Sequence, residues 1–250
     1  MPIHIHTFRS LLLLNLITFG LSFHTNAQGE KDKSHNSNHS LSNIDTQYHP
    51  NAIGITKNGL IEGREAIKSY LTDFYKKHGS LVDFQSLYKV PVLQTLEYEI
   101  GLSQTEKGSQ FAHIIIWTKE KDSKQKIADI AYEKTMATKV PAKLKKARKQ
   151  WIKLCQKKNA KTLVSELYTE DAIYYNRGRI LRGHDQLAQE YSYMENPSYT
   201  LNLTPQHIEV VAEDIIYEIG MCSGSYNLPY ILVWKKEADG EWRIYVDSNY

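Results

Sequence analysis

Apolar and polar positions alternate along the chain with two different periods, and each period predicts one kind of element. Between residues 142 and 158 the apolar residues recur three and four positions apart, which is the spacing of a helix that packs on one face. From residue 199 onward, long stretches rich in β-branched and aromatic residues are separated by short polar turns, which is typical of strands. These strands are predicted at 199–211, 215–226, 229–236 and 241–247.

The middle of the chain shows the same order of patterns. A helix is predicted at Gly63–His78, ahead of strands at 84–92, 95–103, 110–119 and 126–134. Shorter helices at 161–167 and 185–194 flank a strand pair at 171–175 and 179–181. Helices followed by runs of strands indicate an α+β fold with one antiparallel sheet.

Several landmarks of this pattern occur twice. Tyr98-Glu99-Ile100-Gly101 recurs as Tyr217-Glu218-Ile219-Gly220. Tyr48, Trp117 and Asp129 recur as Tyr168, Trp234 and Asp247. So long a period indicates two tandem domains rather than a solenoid. We therefore predict a first copy at 45–138 and a second copy at 142–250, the first being truncated because it lacks a counterpart of the helix at 142–158.

The N-terminal residues have the pattern of an export signal. Arg9 precedes an apolar run from Leu11 to Phe23 that ends near the small residue Ala27, and the run is shorter than the ~20 residues that span a bilayer. We expect residues 1–27 to be a signal peptide, which places the mature protein in the periplasm or outside the cell. Residues 28–44 are polar and low in complexity, so they are predicted to form a linker.

Charge and motifs narrow the classes of partner. The chain has 31 Lys and Arg against 28 Asp and Glu, a formal net charge of +3. This small excess, with lysines spread along the chain, predicts neither a nucleic-acid partner nor membrane association after signal removal. Zinc-ligand spacings and Gly-rich phosphate loops do not occur in the sequence, so no metal or other cofactor is predicted.

Both copies resemble the NTF2-like, or SnoaL-like, superfamily, and especially its export-associated branch known as DUF4440. The resemblance rests on a Tyr, two polar residues and an Asp-Ala pair, followed by a polar loop and an Ile/Leu-x-Gly before a helix. This pattern corresponds to Tyr168–Ala172 with Ile180 to Gly183, and to Tyr48–Ala52 with Ile61 to Gly63. The closing strand, Gly240-Glu-Trp-Arg-Ile-Tyr-Val-Asp247, is also similar. The resemblance implies two tandem cystatin-like cones, each a curved antiparallel sheet packed against helices.

Ketosteroid isomerases of this superfamily use a carboxylate base four residues after that Ala and a Tyr on the first helix. In the second copy these positions hold Asn176 and Ile152, and Thr56 stands at the first position in the first copy. Amides and hydroxyls are not useful bases at neutral pH. No catalytic residue is therefore predicted, although His207 is a candidate for a dehydratase-like His–Asp pair.

A ligand pocket is predicted in the cone of the second copy, where aromatic and acidic residues gather. Because side chains alternate along a strand, Glu218 lies on one face of the sheet. Tyr217 and Ile219 lie on the other face, which is more apolar. We expect Glu218 on an outer face, paired with Lys or Arg, and a pocket acid is the alternative. Tyr245 and Asp247 share a face that either lines a wet pocket or faces water. The candidate pocket residues are Trp151, Tyr174, Asn176, Tyr191, Tyr193, Glu218, Tyr245 and Asp247.

Both cysteines, Cys155 and Cys222, lie in the second copy. An even count in an oxidising compartment allows one disulfide. The alternative is a pair of small core residues.

Three functions fit these observations. The preferred one is an exported module that binds a small, partly apolar ligand in the second copy. The first alternative is a SnoaL-type isomerase or cyclase that uses a displaced pocket acid. The second is an interaction or dimerisation module, since NTF2-like sheets commonly dimerise and the two copies could form a homodimer or an intrachain pseudo-dimer.

Overall fold

A computed structural model describes residues 43–120, 123–135, 139–176 and 178–249. They form two six-stranded sheets with helices packed on them, which confirms the predicted α+β class with two tandem units. The predicted signal peptide and nearly all of the predicted linker lie outside the described residues. Within the described part of the chain, no helix combines the length and the apolar character needed to cross a bilayer.

The first sheet is built from the first copy. Helix α1 (Ile44–Gln47) leads into strands β1 (Tyr48–Thr56) and β2 (Gly59–Glu62), and helix α2 (Arg64–His78) follows. The remaining strands are β3 (Leu81–Leu93), β4 (Leu96–Thr105), β5 (Gln110–Glu120) and β6 (Ser123–Glu133). Their order across the sheet is β2-β1-β6-β5-β4-β3.

The second copy repeats this plan with more helix. It begins with α3 (Ala142–Gln156) and α4 (Ala160–Leu167), then β7 (Tyr168–Asn176), β8 (Arg179–Arg182) and α5 (Gly183–Glu190). A 3-10 turn at Tyr191–Glu195 precedes β9 (Leu201–Val210), β10 (Ile215–Gly224), β11 (Pro229–Lys236) and β12 (Trp242–Asn249). The strand order is β8-β7-β12-β11-β10-β9.

Each sheet is mixed rather than wholly antiparallel. β1 pairs in parallel with β6, and β7 pairs in parallel with β12. These pairings arise because the first strand of each copy joins the sheet beside the last strand. Periodicity reports the face on which a residue lies but not which strands are neighbours, so the predicted antiparallel sheet needs this correction.

The described part of the first copy contains no helix that corresponds to α3. Helix α1 abuts β1 at Tyr48 as α4 abuts β7 at Tyr168, so α1 takes the place of α4. It begins at Ile44, which the sequence analysis assigned to the linker. A counterpart of α3 would precede residue 43 and so fall outside the described residues, and the truncation of the first copy stays a prediction.

One face of each sheet packs against the other sheet, and we call these the inner faces. A single hydrophobic cluster joins Ile114 of the first sheet to Tyr217, Ile219 and Val233 of the second. The Tyr217 hydroxyl also donates a hydrogen bond to the carbonyl oxygen of Ile130 at 3.0 Å. The opposite faces carry the helices, and we call them the helix faces.

Glu218 lies on the helix face of the second sheet and is fully buried. This corrects the expectation of an outer face, whereas the pairing with Lys or Arg expected for Glu218 is made by Arg148. The expectation assumed that only one face of the sheet is covered. Here Tyr217 and Ile219 meet the other sheet, while Ile216 and Cys222 meet the helices, so neither face is open.

A bulge in the last strand of each copy resets the alternation of its side chains. In β12 the register shifts between the pairs Val233–Val246 and Trp234–Ile244. Tyr245 therefore joins the inner-face core, whereas the Asp247 carboxylate accepts a hydrogen bond from buried Tyr168 on the helix face. Tyr245 and Asp247, predicted to share a face, lie on opposite faces.

Candidate functional site

A cavity of about 50 Å³ lies between α2 and the helix face of the first sheet. A water molecule needs roughly 10–15 Å³ of such space, so the cavity has room for a few non-hydrogen atoms. It adjoins a wider groove of about 570 Å³. Both spaces are lined by Thr56, Tyr70, Phe74, Phe111 and Ala131.

Three charged or polar side chains meet at the wall of this cavity. The Asp129 carboxylate accepts hydrogen bonds from the Lys126 ammonium at 2.7 Å and from the Tyr48 hydroxyl at 2.7 Å. Lys126 and Asp129 flank the bulge in β6, where the register shifts between Ile116 and Trp117. The bulge explains why residues three apart on a strand point to the same side.

His113 extends this cluster on its other side. Its Nδ1 lies 2.9 Å from Asp129 Oδ1, and its Nε2 lies 2.7 Å from the Ser103 hydroxyl oxygen. In a neutral imidazole, Nδ1–H donates to Asp129 and Nε2 accepts from Ser103. Both ring nitrogens are therefore engaged in the structure as it stands. Ser103, His113 and Asp129 are all buried, and His113 and Asp129 line the cavity.

Asp129 is held in its ionised form. Burial alone would raise the pKa of this carboxyl, but the charge of Lys126 and the contact with His113 outweigh burial and hold its pKa well below the usual range. Such a carboxylate is a poor proton acceptor near neutral pH. Its effect is to position Lys126, His113 and Tyr48 around it.

The same positions in the second copy hold less polar residues. Pairing within each sheet aligns His113 with Tyr230, since these face Gly101 and Gly220 respectively. Lys126 aligns in the same way with Ile244, because each precedes its bulge opposite a Trp. Hence a buried Lys and a buried His stand where the second copy has Ile and Tyr.

The helix face of the second copy is packed as a core. Trp151 of α3 and Leu163 of α4 join Tyr168, Tyr191 and Trp234 in one buried cluster. Two open grooves adjoin this copy near Trp242, but neither is lined by Asp247, Tyr168 or Tyr191. The space that is open beside Asp129 is therefore filled beside Asp247.

Asp247 lies in this packed core, and the structure shows no charged partner for it among the described residues. Its carboxylate accepts hydrogen bonds from Tyr168 at 2.7 Å and from Tyr191. Burial raises the pKa of Asp247 to about 6, although the two tyrosines partly oppose this. The Trp151 indole N–H donates to the Tyr168 hydroxyl at 3.1 Å, so Trp151 supports the cluster from behind.

Glu218, another predicted pocket residue, accepts four hydrogen bonds. Arg148 donates to both carboxylate oxygens, at 2.8 and 2.5 Å. The Tyr230 hydroxyl and the Trp234 indole donate at 2.7 and 3.0 Å. In the first copy Trp117 likewise donates to Glu99 at 2.6 Å. The repeated Glu thus anchors the repeated Trp in both copies.

Most of the other predicted pocket residues adjoin the Asp247 cluster, since the rings of Tyr174 and Tyr193 lie 5.5 and 6.2 Å from that of Tyr191. Tyr174 is buried and donates to Asn249 at 2.5 Å, and Asn176 donates to the Tyr174 hydroxyl at 2.8 Å. Tyr193 is 39% exposed. Tyr245 lies on the inner face. Six of the eight predicted residues thus form one packed network around Tyr191 and Asp247, with Glu218 and Tyr245 apart from it, and none of the eight lines the cavity or the groove of the first copy.

Cys155 and Cys222 are both free and buried, so the disulfide considered from the sequence is not formed. Burial raises the pKa of Cys155 to about 11 and that of Cys222 to about 12. Thiols with such pKa values carry little thiolate at neutral pH and are unreactive. Both pack in the helix-face core, which matches the alternative of two small core residues.

Sequence reasoning missed His113 because it searched for a His–Asp pair in the second copy. The candidate named there, His207, instead stacks on Tyr88 with ring centroids 5.4 Å apart and lies 3.8 Å from Glu209. The sequence feature that could have indicated a contact between His113 and Asp129 is strand register. His113 lies two residues from Ile115, which pairs with Asp129 on the next strand. Diagonal neighbours on adjacent strands lie within reach of long side chains.

Among the described residues, no group of three or more His, Cys, Asp or Glu side chains is arranged to hold a metal ion. No protein-family model matches the chain, and the comparison with curated proteins finds no match.

Solved structures with similar folds are found. An NTF-2 like protein of unknown function from Shewanella oneidensis is 16% identical, with a TM-score of 0.37, over 42% of this chain and 94% of that chain. A ketosteroid isomerase-like protein from Erwinia carotovora atroseptica is 16% identical, with a TM-score of 0.35, over 43% and 92%. A cystatin-like domain of unknown function from Nostoc punctiforme is 13% identical, with a TM-score of 0.36, over 42% and 73%.

Proposed function

We propose that this protein is an exported binding module whose first copy holds a small, partly apolar molecule beside Lys126. The observation that carries the proposal is the buried Lys126–Asp129–His113 cluster at the wall of a cavity. The second copy, which was the site expected from the sequence, serves in this proposal as a packed structural partner.

The polar cluster is not needed to build the fold. The second copy forms the same strand arrangement with Ile244 and Tyr230 in the places of Lys126 and His113. A buried ion pair costs desolvation that its own attraction barely recovers. Buried charged residues that the fold does not need, and that lie next to an open cavity, are candidates for function.

Lys126 sets the chemistry of the ligand. Its ammonium has three donor hydrogens, and two of them are directed to Asp129 at 2.7 Å and to the Tyr48 hydroxyl at 3.3 Å. The third is available to a hydrogen-bond acceptor, such as a carbonyl or carboxylate oxygen, in the cavity that Lys126 lines. The apolar body of the ligand would then contact Ile67 and Phe74 and extend into the wider groove.

Native mass spectrometry of the mature protein, isolated from its own export compartment, tests this proposal. We expect a reproducible small-molecule adduct. Lys126→Met and Ala131→Leu should both lose it, the first by removing the donor and the second by filling the cavity. Tyr168→Phe is the control because it alters only the second copy. Absence of an adduct, or equal loss in Tyr168→Phe, would contradict the proposal.

A proton-transfer enzyme is the second candidate, and the contact between His113 and Asp129 at 2.9 Å favours it. An imidazole oriented by a carboxylate is a common general base. The adduct molecule, incubated with the protein in deuterated water, should then gain deuterium, and His113→Gln should abolish the gain. An unchanged ligand mass would eliminate this candidate and leave the binding module standing.

Export is the remaining part of the proposal. It rests on the pattern of residues 1–27, and it predicts that the mature chain begins at Gln28. N-terminal sequencing of the protein from its own cells tests this directly. An intact Met1 would contradict it.

A further inference from the structure

Positive charge is concentrated in one segment of the second copy, which contains helix α3, the loop after it and the start of α4. The segment from Ala142 to Lys161 contains eight Lys and one Arg, and no Asp or Glu. Of the 31 basic residues nine lie here, so the rest of the chain carries 22 basic against 28 acidic residues. The small net charge therefore conceals a strongly basic segment on an otherwise acidic molecule, and the lysines are not evenly spread along the chain.

The lysines of α3 occupy a single exposed face. The opposite face packs Leu144, Trp151 and Leu154 into the core, and Arg148 is used internally by Glu218. At 100° per residue the exposed lysines fall within about 160° of the helix circumference. We call them the lysine face: Lys143, Lys145, Lys146, Lys149, Lys153 and Lys157.

Most of this charge is not neutralised within the protein. Lys143 pairs with Glu241 at 2.7 Å. Among the described residues, however, no carboxylate lies within 4.0 Å of Lys145, Lys149 or Lys153. Like charges at i and i+4 on one helix repel each other, so this row lowers the stability of α3 in the absence of a partner.

We propose that the lysine face docks this protein on an anionic lipid surface. A 15-residue helix lying along the molecular surface presents a row of charges about 20 Å long, and each Lys near an anionic bilayer contributes to attraction. No large apolar residue of α3 is exposed, so binding is electrostatic and does not insert into the bilayer.

The composition of this face favours a membrane over a nucleic acid. Single-stranded nucleic acids are held by aromatic rings that stack on bases, and Arg, with its planar guanidinium, is the residue of choice for recognising nucleic acids. The lysine face offers no aromatic ring, and the one Arg of α3, Arg148, is buried against Glu218 on the other side of the helix. This inference is independent of the cavity in the first copy.

Co-sedimentation of the mature chain with vesicles tests the proposal. We expect binding to vesicles of phosphatidylcholine mixed with phosphatidylglycerol, and none to pure phosphatidylcholine. Binding should vanish at ~1 M salt, where the screening length falls to ~3 Å. Replacing Lys145, Lys149 and Lys153 with Gln should weaken the partition by about fivefold per lysine, or roughly a hundredfold together.

A charge-matched control separates the helix from the net charge. Replacing the exposed Lys57, Lys77 and Lys107 of the first copy with Gln removes the same three charges elsewhere, and should leave most of the binding in place. The proposal is overturned if both triple variants lose binding equally, if the wild type ignores the anionic vesicles, or if it binds duplex DNA but not vesicles. Circular dichroism confirms that each variant is folded.

Discussion

Asp129 and Asp247 occupy equivalent places in the two copies, yet their surroundings act on them in opposite ways. Asp129 faces Lys126, so its pKa is held well below the usual range. Among the described residues the donors to Asp247 are the hydroxyls of Tyr168 and Tyr191, and burial raises its pKa to about 6. One position in the fold thus carries a permanent anion in one copy and a titrating acid in the other.

Asp247 makes the protein less stable as the pH rises. The unfolded chain loses this proton near pH ~4, whereas the folded chain keeps it until about pH 6, so the folded state binds more protons in between. The free energy of unfolding should fall by ~3 kcal/mol across this window. Asp247→Asn keeps an acceptor for the tyrosines and should remove this fall, as measured by urea unfolding between pH 4 and 7.

Asp129→Asn is the matched comparison and should behave in the opposite sense. Because its folded pKa is depressed, Asp129 stabilises the protein above pH ~4, and this contribution is lost on further acidification. The free energy of unfolding of the variant should therefore be lower than that of the wild type at neutral pH, and the difference should shrink below pH ~4. Equal pH slopes in both variants would contradict the assignment of the two aspartates.

At the scale of elements, periodicity predicted most of the observed structure. The strand predicted at 229–236 coincides with β11, and the helix predicted at 142–158 ends two residues early. The predicted face of Glu218 was wrong because alternation of side chains does not distinguish a solvent-exposed face of a sheet from a face covered by helices. Tyr245 was misplaced because the bulge in β12 leaves no mark in the residue pattern.

The candidate site was harder to predict than the fold. A site search guided by the repeat favours residues that recur, such as Glu218 and Asp247. The cluster in the first copy instead consists partly of residues that do not recur, His113 and Lys126. Its cavity also depends on how α2 packs over the sheet, which the sequence pattern leaves open.

The repeated glycine of each copy explains how an aromatic ring fits the sheet. A Cβ added at Gly220 would lie 2.3 Å from the Tyr230 ring, so only Gly allows the Tyr230 hydroxyl to reach Glu218 at 2.7 Å. We expect Gly220→Ala to cost ~1–3 kcal/mol, the usual penalty of overpacking, in denaturant unfolding.

Gly54→Ala provides the control, because a Cβ there meets Ile67 at an ordinary 3.5 Å. Its effect on the free energy of unfolding should be below ~1 kcal/mol, because replacing a Gly within a strand lowers the backbone entropy of the unfolded chain. If both variants lose the same stability, close approach of the ring is not the reason for Gly220.

At the scale of the whole molecule, the two sheets depend on each other for burial. Their inner faces form one hydrophobic cluster, and Lys134 crosses to donate to the carbonyl oxygen of Val210 at 2.8 Å. Sheets that share a core in this way cover surfaces that would otherwise invite association. The first copy thus has a structural task in addition to its cavity.

Residues 142–250 produced alone should therefore self-associate. Removal of the first copy exposes the apolar inner face around Tyr217, Ile219 and Ile231. We expect light scattering after size exclusion to show dimers or larger species. Ile231→Lys should restore a monomer of the isolated copy, and the same change should destabilise the full chain by ~2–5 kcal/mol, as burial of an unpaired charge does. A monomeric wild-type fragment as stable as the full chain would show instead that the inner faces are not coupled in folding.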